Sequence, residues 1–217
     1  MSDDERYGDP SSILRAIDED QREAQRALAP NAVLLYATWG IAWTVGFLAF
    51  YAAFVPAERP LIPFALGAAI GGAVLVAAIV LSAVHSSLRS AGSRGPSMVQ
   101  GAIYGNTFGV AFMLMGLLGW RLMSSGFALE PMLSYWVAAS CLIVGILFLA
   151  GAAMWNDRSQ LIFGSWTFVV GFVSIAVAPP HNLLAGAAGG LGFLALAVVQ
   201  ALRPQLTSGR ITRETDG

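Results

Sequence analysis

Apolar residues run along most of the chain in long, nearly unbroken stretches, without the alternation of apolar and polar positions that a half-buried strand shows. Six stretches match the roughly 20 residues that a helix needs to cross a bilayer's hydrocarbon: residues 31–55, 61–85, 100–122, 131–155, 161–178 and 182–202. Pro and Gly clusters or charged residues separate them at 56–60, 86–99, 123–130, 156–160 and 179–181. Barrel strands would be shorter and would alternate lipid-facing with lumen-facing residues. A backbone in hydrocarbon must satisfy its own polar groups, which leaves helices. The predicted fold class is an all-α integral membrane protein with six transmembrane helices.

Composition sharpens that picture. Of 217 residues, 56% are hydrophobic and 12% charged, against about 25% charged in an ordinary soluble domain. Eight of the thirteen acids lie before Asn31, and residues 31–57 and 159–202 contain no Asp, Glu, Lys or Arg. Three regions follow: an acidic tail at 1–30, a transmembrane domain at 31–202 and a short tail at 203–217. The first residues are acidic and polar with no apolar run before a small-residue cleavage site, so the first span is expected to stay in the membrane. Every basic residue is Arg. With the amino terminus inside, ten arginines fall on the cytoplasmic side and only Arg59 and Arg121 outside. The positive-inside bias therefore predicts a multi-pass plasma-membrane protein with both termini cytoplasmic.

The odd-numbered spans resemble one another. Thr38-Trp39-Gly40-Ile41-Ala42-Trp43 in the first parallels Thr107-Phe108-Gly109-Val110-Ala111-Phe112 in the third, with a looser version at Gly164-Ser165-Trp166-Thr167. Among even-numbered spans, 67–72 echoes 186–190. Two readings stand: three repeated helical hairpins, or chance matches among residues common in membrane helices. In architecture the pattern resembles the bacterial acid-resistance membrane proteins built from short hairpin repeats. Gly67/Gly71, Gly105/Gly109 and Gly186/Gly190 have the spacing that lets helix backbones approach. They serve either packing inside one bundle or a homo-oligomer seam.

Candidate chemistry is sparse. No span holds an Asp or Glu, which weighs against an ion-coupled carrier built on a buried carboxylate. Hydroxyls, amides and aromatics do cluster in the predicted cytoplasmic halves of the odd spans. Thr38, Trp39, Trp43, Tyr104, Asn106, Thr107, Ser165 and Trp166 are the candidate lining of a solute pathway. The competing reading has the hydroxyls bonded to their own helices and the aromatics packed or facing lipid. His85 and His181 are expected at opposite membrane faces, where they cannot share a metal. Asn182, after Pro179-Pro180-His181, is read as a helix cap. Cys141 is the only cysteine, so it has no disulfide partner within the chain. No metal-protease, nucleophile-turn, phosphate-loop or Cys-x-x-Cys motif occurs. The expectation is no enzyme, cofactor, metal site or nucleic-acid partner.

In the amino-terminal tail, Asp9-Pro10 makes a helix start, and Ile13, Ile17, Ala24 and Leu28 fall near one face. A cytoplasmic amphipathic helix over 10–30 would lie on the lipid bilayer or dock on a protein partner. Three functions compete. The leading one is a small-solute channel or facilitator, and the second a non-transporting regulatory or accessory subunit. The third is the permease subunit of an ATP-driven exporter, whose arrangement an amphipathic helix before six spans resembles.

Overall fold

The computed structural model describes residues 13–14, 31–90, 96–207 and 211. The expected amphipathic helix over 10–30 and most of the carboxyl-terminal tail lie outside them. Among the described residues all regular structure is helical: α1 Ala32–Phe54, α2 Phe64–Ser90, α3 Pro96–Ser124, α4 Leu129–Trp155, α5 Arg158–Ala176, α6 Asn182–Leu202 and a short α7 Pro204–Thr207. The first six are long and apolar enough to cross a membrane. Six such helices are compatible with a polytopic membrane protein.

Several helices outrun the apolar stretches, because a helix continues past the hydrocarbon when its ends are satisfied. Pro96 opens α3, where its missing N–H costs nothing. Asp157 caps α5, accepting from the Ser159 amide at 2.8 Å, so Arg158 becomes the first helical residue. Asn31 caps α1 by accepting from the Leu34 amide at 3.2 Å. At α6 the expectation is corrected. His181 occupies the cap position without a side-chain bond, and Asn182 is the first helical residue, fully buried, its amide unpaired among the described residues. The chain arrives there in αR geometry at His181, so the Asn182 side chain is carried into the packed interior instead of back over the helix start.

The helices pack in the order α2–α1–α6–α5–α4–α3, and α4 also touches α6. Consecutive helices adjoin through short turns, except that α2 and α3 share no packed face, while the first span closes against the last. Helices α1, α4, α5 and α6 surround an aromatic cluster. Phe148 lies 5.1 Å from Phe163 and 6.0 Å from Phe193 between ring centroids, and Tyr36 lies 6.0 Å from Phe163. Cys141 is buried beside Gly171.

Two of the three glycine pairs press on α1 from opposite neighbours. A Cβ added to Gly67 would lie 2.9 Å from the Ala49 carbonyl oxygen, and one on Gly71 2.8 Å from the Phe50 ring. From α6, a Cβ on Gly186 would meet the Phe47 ring at 2.7 Å, and one on Gly190 the Thr44 amide nitrogen at 2.5 Å. These are internal packing contacts. The third pair, Gly105 and Gly109, meets nothing within 4 Å.

Gly190→Val should destabilise the monomer in detergent by about 1–3 kcal/mol or more, since backbone lies in the way. Gly109→Val should cost little or nothing. Thermal or denaturant unfolding in micelles checks the contrast; equal losses at both positions would contradict the packing described.

Candidate functional site

The densest polar grouping among the described residues lies where α4 turns into α5, at the end of the bundle that also holds the start of α1. The turn is made by Asn156, left-handed at φ 52°, and Asp157. Asn tolerates that conformation better than most residues. Asp157 Oδ1 accepts from both the amide and the hydroxyl of Ser159, each at 2.8 Å, and Oδ2 accepts from the Gln160 side-chain amide at 3.3 Å. Ser159 is thus committed as a donor to the carboxylate. The Tyr36 hydroxyl from α1, 3.0 Å away, must donate to the Ser159 oxygen.

A second phenol completes the group. The Tyr104 hydroxyl of α3 lies 2.9 Å from the Leu147 carbonyl and 3.2 Å from Gln160 Oε1, sharing its proton between them. Its ring meets Trp155 edge-on at 4.7 Å. Gly151 makes the slot: a side chain there would collide with the Gln160 amide and sit 2.7 Å from the Tyr104 hydroxyl. One carboxylate therefore organises four helices. With donors on both its oxygens, Asp157 is placed as a cap and anchor, and a base at this point would have to give up a bond to act.

Of the eight residues singled out from the sequence, some stand at separate interfaces and others are exposed. Tyr104 alone joins this network. Trp39 donates through Nε1 to the Ser82 hydroxyl of α2 at 3.0 Å. Trp43 is buried toward α6, edge-on to Phe193 at 5.7 Å. Trp166 crosses onto α6 over Gly192, whose missing side chain leaves room for the indole. Thr107 is exposed and donates back to the Ile103 carbonyl at 2.8 Å. Asn106 and Ser165 are exposed and Thr38 is half-buried.

Tyr36, Asp157, Ser159 and Gln160 did not stand out in the sequence, where 156–160 reads as a polar break. The signal was present: Asp followed two positions later by Ser, ahead of an apolar run, is a helix-start pattern. His85 and His181 do lie at opposite ends of the bundle. His85 Nε2 accepts from the Asn31 amide at 2.9 Å, and His181 meets the Tyr51 ring edge-on at 5.8 Å. No group of three or more His, Cys, Asp or Glu side chains comes together among the described residues.

Comparison of the chain with protein-family models, curated proteins and solved structures finds no match. The likeness to hairpin-repeat acid-resistance proteins thus has no family match beside it.

Tyr36→Phe should cost about 1 kcal/mol through loss of one interhelical hydrogen bond. Gly151→Val should cost more, because it displaces Gln160 and Tyr104 together. Unfolding in micelles measures both; combining Tyr36→Phe with Ser159→Ala should give less than the sum of the single losses.

Proposed function

We propose that this chain is a non-transporting accessory subunit, a membrane bundle that works by contact with other chains. The observation that carries the reading is the filled centre. Tyr36, Phe148, Phe163 and Phe193 occupy the space among α1, α4, α5 and α6 where a conducting bundle would hold its passage. The outer helices α2 and α3 pack mainly on α1 and α4 respectively and leave broad apolar faces uncovered by the chain. Residues 10–30 would add a cytoplasmic surface for the same purpose. The arginine distribution supports a plasma-membrane orientation with both termini inside.

A small-solute channel or facilitator is the second reading. The polar network at the α4–α5 turn favours it, since two phenols, an amide and a carboxylate meet there between four helices.

Solubilised from its native membrane in mild detergent, the chain should emerge with a different membrane protein in fixed ratio. Recovery alone, or only with copies of itself, sinks the accessory reading. Reconstituted alone into liposomes, folded protein should pass no small ion or neutral solute. Flux that Tyr104→Phe or Gln160→Ala reduces would establish the channel reading instead. For orientation, with Cys141→Ser as background, Glu58→Cys should react with an impermeant thiol reagent in intact cells, and Ser208→Cys only after permeabilisation.

A further inference from the structure

We propose that the Asn182 side chain holds an internal water molecule, which bridges the first turn of α6 to the carbonyl end of α5. Asn182 is fully buried, and neither its amide nitrogen nor its oxygen has a hydrogen-bond partner among the described residues. Removing an amide from water without replacing its bonds is costly, and buried polar groups are almost always paired. The register of the helices shows where this amide points. A Cβ on Gly189 would lie 3.3 Å from Trp43 of α1 and 3.3 Å from Val170 of α5. Asn182 stands two turns earlier on α6, about 20° round from Gly189 at roughly 100° per residue. It therefore projects into the same seam between α1 and α5, at the level where Tyr51 meets His181 edge-on at 5.8 Å. Because α5 and α6 are joined by a short turn, this is also the level of the last turn of α5.

The sequence leaves acceptors there. A carbonyl inside a helix takes the amide of the residue four positions on. For Ile175 and Ala176 those residues are Pro179 and Pro180, which have no N–H to give. No amide from the α5–α6 turn donates to the Ser174 carbonyl either. Ser174 is itself fully buried, one turn beyond Val170 on the face toward α6. Its hydroxyl donates to the Gly171 carbonyl at 2.7 Å and keeps lone pairs with which to accept. Donor and acceptors thus share one level of the bundle with no direct bond between them.

The bridging group must serve both ends of the amide. A water molecule accepts from Nδ2, donates to Oδ1 and still has a proton for a carbonyl of α5, and buried waters characteristically make about three such bonds. A metal cation would satisfy the oxygens and leave Nδ2 without a partner. The seat is closed to the outside, since Asn182 has no exposed area although the neighbouring His181 is exposed. The water is therefore part of the α5–α6 hairpin, whether the chain works through partner proteins or through flux.

The test uses the full chain in micelles, with the side-chain amide nitrogen of asparagine isotopically labelled for NMR. The chain has four asparagines, so Asn31→Gln, Asn106→Gln and Asn156→Gln, made singly, assign the fourth signal without touching it. The Asn182 amide protons should show a cross-relaxation peak to water, with the sign of a long-lived bound molecule. Asn182→Leu, close in volume, should lower the unfolding midpoint by several degrees, because the α5 carbonyls lose the donor that the water carries to them. An amide that was merely unpaired would give the opposite sign, since its removal would raise the midpoint. The water peak is measured on the unaltered Asn182, so it decides the matter even if the Leu variant does not fold. No water peak at the assigned amide, a midpoint that Asn182→Leu raises or leaves unchanged, or an amide signal that shifts with sodium concentration would each overturn the proposal.

Discussion

The close approach of neighbouring backbones to α1 is the contact on which the rest of the bundle depends. In hydrocarbon there is no water to expel from between two helices, so apolar area alone gives them little reason to associate. Dispersion at short range and interhelical hydrogen bonds must do that work instead. Gly67 and Gly71 bring α2 against Ala49, Ala53 and Phe50; Gly186 and Gly190 bring α6 against Phe47 and Thr44 on another side of the same helix. The large rings of α1 fit because the facing residues have no side chains. Trp43 then lies over Gly189 and reaches Phe193, which ties the seam to the aromatic cluster at the centre.

A different device holds the other half. The α4–α5 turn is only two residues long, and its Asp157 draws Ser159, Gln160 and, through Ser159, Tyr36 into one network. That bond from α1 fastens the two halves at one end. Toward the middle, Trp166 over Gly192 and Phe163 against Phe193 fasten α5 to α6. Small residues therefore recur wherever a large polar or aromatic side chain must cross from one helix to the next. Gly151 is the clearest case, since the Gln160 amide occupies the volume its side chain would need.

Much of the architecture was legible in the chain because hydrocarbon imposes a length. The first and last spans, read as 31–55 and 182–202, are helices Ala32–Phe54 and Asn182–Leu202. Errors gathered where hydropathy stops being the deciding term, as at Pro96 and Arg158, which lie in helices because helix-end chemistry favours them there. The polar candidates were less legible. Thr38, Asn106, Thr107, Ser165 and Trp166 share a depth and a residue type, but which way each points depends on helix rotation, and that follows from packing. Tyr36 and Asp157 are far apart along the chain, and only the pairing of α1 with the remainder of the bundle brings them together. Glycine spacing carried real information about close contact without saying which partner would fill it, and the structure assigns two pairs to α1.

The seam between α1 and α6 joins the earliest-made of these six helices to the latest. Hairpins such as α4–α5 can form from adjacent segments as soon as both are made, but α1 cannot close against α6 until the four helices between them exist. Until then Gly40, Thr44 and Phe47 lack the α6 residues that meet them in the finished bundle. Truncation before α6 would thus leave more than a missing edge helix: it would leave α1 without the surface that defines its place. A contact between segments this far apart along the chain is also the costliest in the bundle to close.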